Sequence, residues 1–200
     1  LQSYGEKLME NKLGAIVAIE PKTGEILSLI SSPTYNPNLL NGRKRSQNYR
    51  DLLINRHKPL FNRALQGTYP PGSIFKLITG LISLQEEVIK ESSTMQCGNG
   101  YTYSTGKILR CHPHKSPLRI RKAIEISCNT YFCNAFDKYF RSFKNPTIGY
   151  KKWRSHLRSF GIGDYLNNDF INGSPGRLPT YLYYDNLYKK SWNANTIISM

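Results

Sequence analysis

The sequence predicts an α+β protein, on three observations. It opens with the pattern of an apolar hairpin, it continues into stripes of apolar residues at helical spacing, and its composition can fill a core. Hydrophobic residues make up 39% of 200 positions, with 14 Tyr, 8 Phe and 2 Trp. That excludes a disordered or low-complexity chain and is about one domain's worth of material. Strand signals mixed with helix signals exclude an all-α arrangement.

The hairpin comes first. Gly14-Ala-Ile-Val-Ala-Ile19 is apolar on both faces, as a central strand is. Pro21-Lys-Thr-Gly24 supplies turn chemistry, and Glu25-Ile-Leu-Ser-Leu-Ile30 returns as the second strand. From Ser31 to about Gln66 the chain turns to Pro, Asn and Arg, which reads as a long surface excursion. Tyr69-Pro-Pro-Gly72 blocks any helix arriving from upstream, and Ser73 opens a new one. Ile74, Leu77, Ile78 and Leu81 fall at i, i+3, i+4 and i+7, so this helix is expected to bury that face and to run to about Lys90. Gly98 to Gly106 reads as loop or short ribbon. Ser116-Pro117 is expected to start a helix through Ala123 and Ile124, with Ser as cap and Pro at the first position. After Asn129 the stripe Tyr131, Phe132, Ala135, Phe136, Tyr139 marks another helix. Residues 141–200 are basic and aromatic, broken by Gly161, Gly163 and Gly173, and no internal repeat is present. Only two strands read clearly, few for a sheet that must cover a long buried helix.

Lys and Arg number 28 against 13 Asp and Glu, a formal charge of +15. Such a balance points to nucleic acid, an anionic surface or acidic envelope polymers as surroundings. No apolar run of ~18 residues is present, so no segment reads as a membrane span. The chain opens on Leu1-Gln-Ser-Tyr4, with no initiator Met, basic n-region or apolar h-region.

The sharpest chemical candidate is Ser73-Ile-Phe-Lys76. A serine hydroxyl needs a base to become a nucleophile. A lysine three residues on lies on the same helical face and can serve as that base once burial or a nearby cation lowers its pKa. Spacing alone is weak, because Ser104-Thr-Gly-Lys107 matches it too. Three S-x-N triplets also occur, Ser46-Gln-Asn48, Ser127-Cys-Asn129 and Ser191-Trp-Asn193. Context separates them. Only Ser73 follows a Pro-Pro-Gly break and opens an apolar helix. Only Ser127 sits at the junction of two helical stripes, where a turn can aim polar groups into a cleft. Lys22-Thr-Gly24 matches the K-T-G of serine acyl transferases, but it precedes the other motifs and lies in a hairpin turn. It is rejected as catalytic.

Gly14 to Glu25, Asn62-Arg-Ala-Leu65, Tyr69-Pro-Pro-Gly-Ser-Ile-Phe-Lys76 and Ala123 to Phe132 together resemble the transpeptidase domain of class B penicillin-binding proteins, closest to the penicillin-binding protein 2 (elongation) type. The similarity covers nearly the whole chain, with motifs in family order. It implies the penicillin-binding and serine β-lactamase-like fold, an antiparallel sheet with a helical subdomain. It also implies that Ser73 is the acylated serine, Lys76 its general base, Ser127 the proton-relay serine and Asn129 the amide that binds the substrate's peptide group. The family's Lys-Ser/Thr-Gly strand is expected beyond Asn195-Thr-Ile-Ile-Ser-Met200. The later strands, the pedestal and the membrane anchor are likewise expected outside these residues, so the chain reads as a partial transpeptidase domain, 1–200.

The other His and Cys residues decide less. Four cysteines, Cys97, Cys111, Cys128 and Cys133, show no CxxC spacing. Cys97 and Cys111 flank the predicted ribbon, and Cys111-His-Pro-His114 groups three possible ligands. A disulfide, a metal site and free thiols all stay open, and no metal ligand is assigned. The resemblance allows a zinc near the cleft without locating it. Cys128 and Cys133 are expected to fill core space. His57 and His156 are expected to be solvated. The run Lys151-Lys-Trp-Arg154 to Arg158 could bind nucleic acid, but no RNA- or DNA-binding motif accompanies it, and a solvated helix face is the preferred reading.

The expected function is therefore peptidoglycan D,D-transpeptidation through a serine acyl-enzyme, with β-lactams as inhibitors and no cofactor. A sensor or hydrolase of the same superfamily and a catalytically dead binding piece are the rivals. The resemblance implies peptidoglycan stem peptides as substrate, and an elongation-complex glycosyltransferase and scaffold proteins as partners. It places the enzyme on the periplasmic side of the inner membrane.

Overall fold

Turn chemistry closes the first hairpin much as the sequence predicts. Gly24, at φ +79°, donates its N–H to Glu20 O at 2.8 Å, and Glu20 N–H reaches Glu25 O at 2.9 Å. The computed structural model describes residues 1–166, 169–170 and 172–199; Met200, the boundary beyond which the Lys-Ser/Thr-Gly strand is expected, lies outside them. The described chain forms two units, Leu1–Tyr69 with Tyr165–Gly176, and Pro70–Asp164 with Arg177–Met200.

In the first unit, α1 (Gln2–Leu8) precedes β1 (Gly14–Ile19) and β2 (Ile26–Ser32), which pair antiparallel from Gly14 opposite Ser32 to a bulge at Ala18/Ile19. The Gln2 side chain clasps the Leu29 backbone, accepting from its N–H at 2.9 Å and donating to its carbonyl at 3.2 Å. Gly5 lets α1 lie close on β2, since a Cβ there would stand 2.2 Å from Ile30 Cδ1. Contrary to expectation, β1 is not covered on both faces: Val17 is 43% exposed and Ile19 55%.

The expected surface excursion is in fact folded. It holds a 3-10 turn (Pro37–Leu40), α2 (Arg45–Ile54) and α3 (Arg63–Gln66), the last capped by Asn62. Arg63 is its buried centre. The guanidinium donates to the carbonyls of His57 (2.6 Å), Lys58 (3.2 Å) and Phe61 (3.3 Å), while the backbone N–H donates to Ser31 Oγ (2.9 Å). Backbone carbonyls wrapped on a cation leave no hydrophobic period to read.

In the second unit a 3-10 turn (Gly72–Ile74) leads into α4 (Phe75–Gln85), followed by the ribbon β3 (Gly100–Ser104) and β4 (Lys107–Arg110), α5 (Ile120–Glu125), α6 (Asn129–Arg141), α7 (Pro146–Ser159), α8 (Tyr181–Tyr188) and α9 (Ala194–Ile198). Two expectations are corrected here. Helix α4 stops at Gln85 rather than Lys90, and most of its expected buried face is turned out: Ile74 is 76% exposed, Leu77 48% and Leu81 53%, while Ile78 is half-buried against the core. The inner face is Thr79, Gly80, Ile82 and Ser83. Gly80 permits the approach, because a Cβ there would lie 3.3 Å from Ile120 and 3.4 Å from Phe132. The helix expected at Ser116 begins only at Ile120; Ser116 instead engages Cys97 N–H (2.8 Å) and Gln96 (2.9 Å) through its hydroxyl.

Helix α6 follows its sequence pattern. Tyr131, Phe132, Ala135 and Tyr139 are buried. Tyr139 packs its ring 5.1 Å from Trp153 and 5.0 Å from Phe143, and Phe136 meets Trp153 edge-on at 4.9 Å. Helix α7 buries Tyr150, Trp153 and Leu157 and turns Lys151, Lys152 and Arg158 outward, consistent with a solvated basic face. His156 departs from expectation: it is half-buried and donates to Glu86 at 2.7 Å, with Lys152 as the carboxylate's second partner. These partners overcome the cost of burial and hold the Glu86 carboxyl below its ordinary pKa.

Candidate active site

Local chain geometry builds the site from two bends. Gly72, at φ +60°, takes a conformation that suits glycine, and the next residue, Ser73, emerges exposed on the 3-10 turn. Lys76 follows in the first turn of α4. The second bend joins α5 to α6. Ser127 N–H bonds Ile124 O at 3.0 Å and Cys128 N–H bonds Ala123 O at 2.9 Å, the paired bonds of a Schellman helix end. Glycine usually fills the left-handed position of that motif; here it is Ser127, at φ +54°. Holding a serine there costs about 1 kcal/mol, a strain that clusters at functional sites. Cys128 then caps α6, its sulfur accepting from Tyr131 N–H at 3.3 Å.

Lys76 joins the two bends. Its Nζ donates to Ser127 O at 2.6 Å, to Ser127 Oγ at 2.9 Å and to Asn129 Oδ1 at 2.6 Å. Asn129 in turn donates to Arg110 O on β4 at 2.9 Å, which fixes its amide. Three of the four sequence-predicted residues are thus bonded into one cluster, and the fourth, Ser73, lies one helical turn before Lys76. Burial lowers the Lys76 pKa below the ordinary lysine range, opposed by the nearby Cys111, Cys128 and Cys133 sulfurs. A cleft of about 490 Å³ opens beside the cluster, lined by Gly72, Phe75, Lys76, Leu109, Asn129 and Phe132. The rival Ser104 lies in the β3–β4 ribbon, whose Gly106 turn precedes Lys107 rather than a helix, so that motif lacks the geometry of a base one helical turn away.

Behind the Ser127 bend lies a second cluster, and Cys128, fully buried in the core as expected, is also a member of it. Cys97, Cys111, His114 and Cys128 bring one ligand atom each to within 4.8 Å of one another. Cys111 Sγ stands 3.5 Å from His114 Nε2 and 3.7 Å from Cys128 Sγ, and all four cysteines are free thiols, so the disulfide alternative is not realised. Burial resists ionisation of Cys111, but the N–H groups of Thr130 and Asn129, the His114 ring and the Cys128 thiol outweigh it and hold its pKa below the usual thiol range. Burial, and then the neighbouring Cys111, push Cys128 the other way. Three sulfurs and an imidazole, with donors already favouring one thiolate, match the ligands of a tetrahedral zinc. The residues fit such an ion. The Cys111-His-Pro-His114 run signalled half of this set; Cys128, 17 residues on and inside the Ser127-Cys-Asn129 triplet, carried no spacing signal. Cys133 stays apart, its thiol raised to about 11 by burial against the opposing charge of Lys76.

The chain matches the family model described as the penicillin binding protein transpeptidase domain over residues 14–196. The peptidoglycan D,D-transpeptidase MrdA of Acinetobacter baumannii is 32% identical over 204 residues, spanning 100% of this chain and 29% of that protein. Among solved structures, PBP2 of Pseudomonas aeruginosa superposes with a TM-score of 0.79 at 26% identity, over 96% of this chain and 42% of the other. PBP2 of Helicobacter pylori, solved in complex with MreC, gives 0.79 at 27% identity, over 97% and 35%. The chain spans under a third of the length of the MrdA relative.

Proposed function

Starting from a chain that belongs to the penicillin-binding protein transpeptidase family, we propose that it carries the nucleophile-bearing part of a peptidoglycan D,D-transpeptidase. The observation that carries this reading is the Lys76 ammonium bonded at once to Ser127 and Asn129, one turn after Ser73. Burial already favours loss of a Lys76 proton, and the neutral amine can then take the Ser73 hydroxyl proton as Oγ attacks the D-Ala-D-Ala carbonyl. Ser127, within 2.9 Å of the same nitrogen, hands a proton on to the leaving D-Ala amine. The amide of Asn129, held by Arg110 O, orients the donor peptide. An amine of a second stem peptide then resolves the acyl-enzyme, restoring Ser73 and completing the cross-link. A β-lactam presents the same acyl chemistry to Ser73.

Cys97, Cys111, Cys128 and His114 would hold a zinc, which would supply structural rigidity, since four protein donors leave no open position for water. In this reading the 200 residues are part of one transpeptidase domain. The remaining strands, including the Lys-Ser/Thr-Gly wall of the cleft, come from sequence outside them, as do pedestal and anchor. The complete protein would work on the periplasmic side of the inner membrane, with a glycosyltransferase and a scaffold protein as partners; the relative captured with MreC supports the latter.

Fluorescent penicillin applied to the complete protein tests the reading. Covalent labelling within minutes, with release over hours, is the expected result. No labelling would leave a binding role, and rapid release would make the protein a hydrolase.

A further inference from the structure

Transpeptidation uses Ser127 and Asn129 but not Cys128, the residue between them. The Cys128 thiol is fully buried, yet its sulfur stands 3.7 Å from Cys111 Sγ, and Cys111 is only half-buried. Beside that contact the Asn129 amide donates to Arg110 O at 2.9 Å. Residues 110–111 and 128–129 therefore meet at two adjacent rungs, one between sulfurs and one polar. Cys97 belongs to the same group, its thiol donating to Thr130 Oγ1 at 3.1 Å, and His114 completes it. Cys133 is not a member.

An accessible thiol with a second thiol at contact distance is the arrangement of a peroxide-sensitive pair. Cys111 is the sulfur that a small oxidant reaches first, and the buried Cys128 is placed to resolve it. We propose that Cys111 and Cys128 form an oxidative modification site, at which hydrogen peroxide closes a disulfide and thereby disarms Ser127 and Asn129. The Cys111 sulfur attacks one peroxide oxygen, the O–O bond breaks, and a sulfenic acid and one water result. The Cys128 thiol then displaces that hydroxyl as a second water. Two thiols give up two electrons and two protons, and the peroxide takes both. Closing 3.7 Å to a bond of ~2.05 Å moves the two sulfurs together by more than about 1.5 Å. Ser127 and Asn129 flank Cys128 and accept from Lys76 at 2.6 to 2.9 Å, contacts that such a movement misaligns. A zinc held by the cluster would leave at the same step, because Cys97 and His114 alone are too few donors. The effect on acylation rests on the catalytic reading, whereas the disulfide itself does not.

The test treats the complete protein, reduced and loaded with zinc, with hydrogen peroxide. Peptide mapping reads the disulfides, a chromogenic chelator reads released zinc, and fluorescent penicillin reads acylation. A Cys111–Cys128 disulfide should appear in step with zinc release, and acylation should slow by about tenfold or more. A thiol reductant with added zinc should restore all three readings. Cys133→Ser should respond as the parent does, since that thiol lies outside the cluster. A Cys97–Cys111 disulfide instead, sulfinic acid at Cys111 without a disulfide, or the expected disulfide with acylation at the untreated rate would overturn the proposal. So would resistance of the Cys133→Ser variant to peroxide, which would make Cys133 the sensitive thiol. Failure to acylate before peroxide is added would count against the catalytic reading alone, and the mapped disulfide would still decide the site.

Discussion

Helices α4 and α6 pack side by side in one unit, yet only one of them wears its apolar stripe inward. In α6, Asp137, Lys138 and Arg141 mark a polar side and leave Tyr131, Phe132, Ala135 and Tyr139 a single direction to face. In α4, Leu77, Ile78, Leu81, Ile82 and Leu84 fill one half of the helix and Thr79, Gly80 and Ser83 lie on the other, and it is the small residues that come closest to its neighbours. A hydrophobic period therefore does not by itself assign the inward face. Where small residues occupy the opposite side, close approach chooses that side, and the apolar stripe forms a surface suited to burial by further structure.

The largest expected break in this contrast is Tyr139→Ala. The side chain is fully buried among aromatic rings, so unfolding free energy should fall by about 3–5 kcal/mol in denaturant titration. Gly80→Leu on α4 should cost about 1–3 kcal/mol, because the added side chain meets Ile120 and Phe132. Leu81→Ser, on the outward stripe, should change stability of this chain by less than about 0.5 kcal/mol. A loss as large as that of Tyr139→Ala would mean that the stripe is buried after all.

The two bends of the site sharpen the comparison in a different way. Ser127→Gly should stabilise by up to about 1 kcal/mol through relief of the left-handed strain, while reducing acylation in the complete protein. Stability and activity moving in opposite directions is the signature. The ion cluster joining α4 to α7 gives a smaller, pH-dependent effect. The Glu86 carboxyl is lowered in the folded state, so its stabilisation is present above the unfolded carboxylate pKa and is lost as pH falls through the lower folded value. Glu86→Gln should therefore cost about 1 kcal/mol near pH 6 and close to nothing at strongly acidic pH, read from thermal melts at the two conditions.

Much of this arrangement is legible from residues alone. Pro-Pro-Gly before Ser73, the S-x-N triplet at a helix junction and the α6 stripe all point where the structure puts them. Arg63 was not legible as a core residue, since its burial depends on carbonyls brought in by chain reversal. The cluster around Cys128 was hidden for a related reason. Its four donors come from the ribbon's two flanks and a helix cap, and no linear spacing encodes such a meeting.

Acylation of Ser73 under the control of Lys76 is the centre of the account, and peptide-level mass spectrometry of the penicillin-treated complete protein measures it directly. The adduct should sit on Ser73, and its rate should rise with pH through a Lys76 pKa that burial sets below the ordinary lysine value. Lys76→Arg, which keeps the charge but cannot give up its proton, should slow acylation by about 100-fold or more with the fold intact. An adduct on Ser104 or Ser127, or parent-rate acylation of Ser73 in the arginine variant, would contradict it.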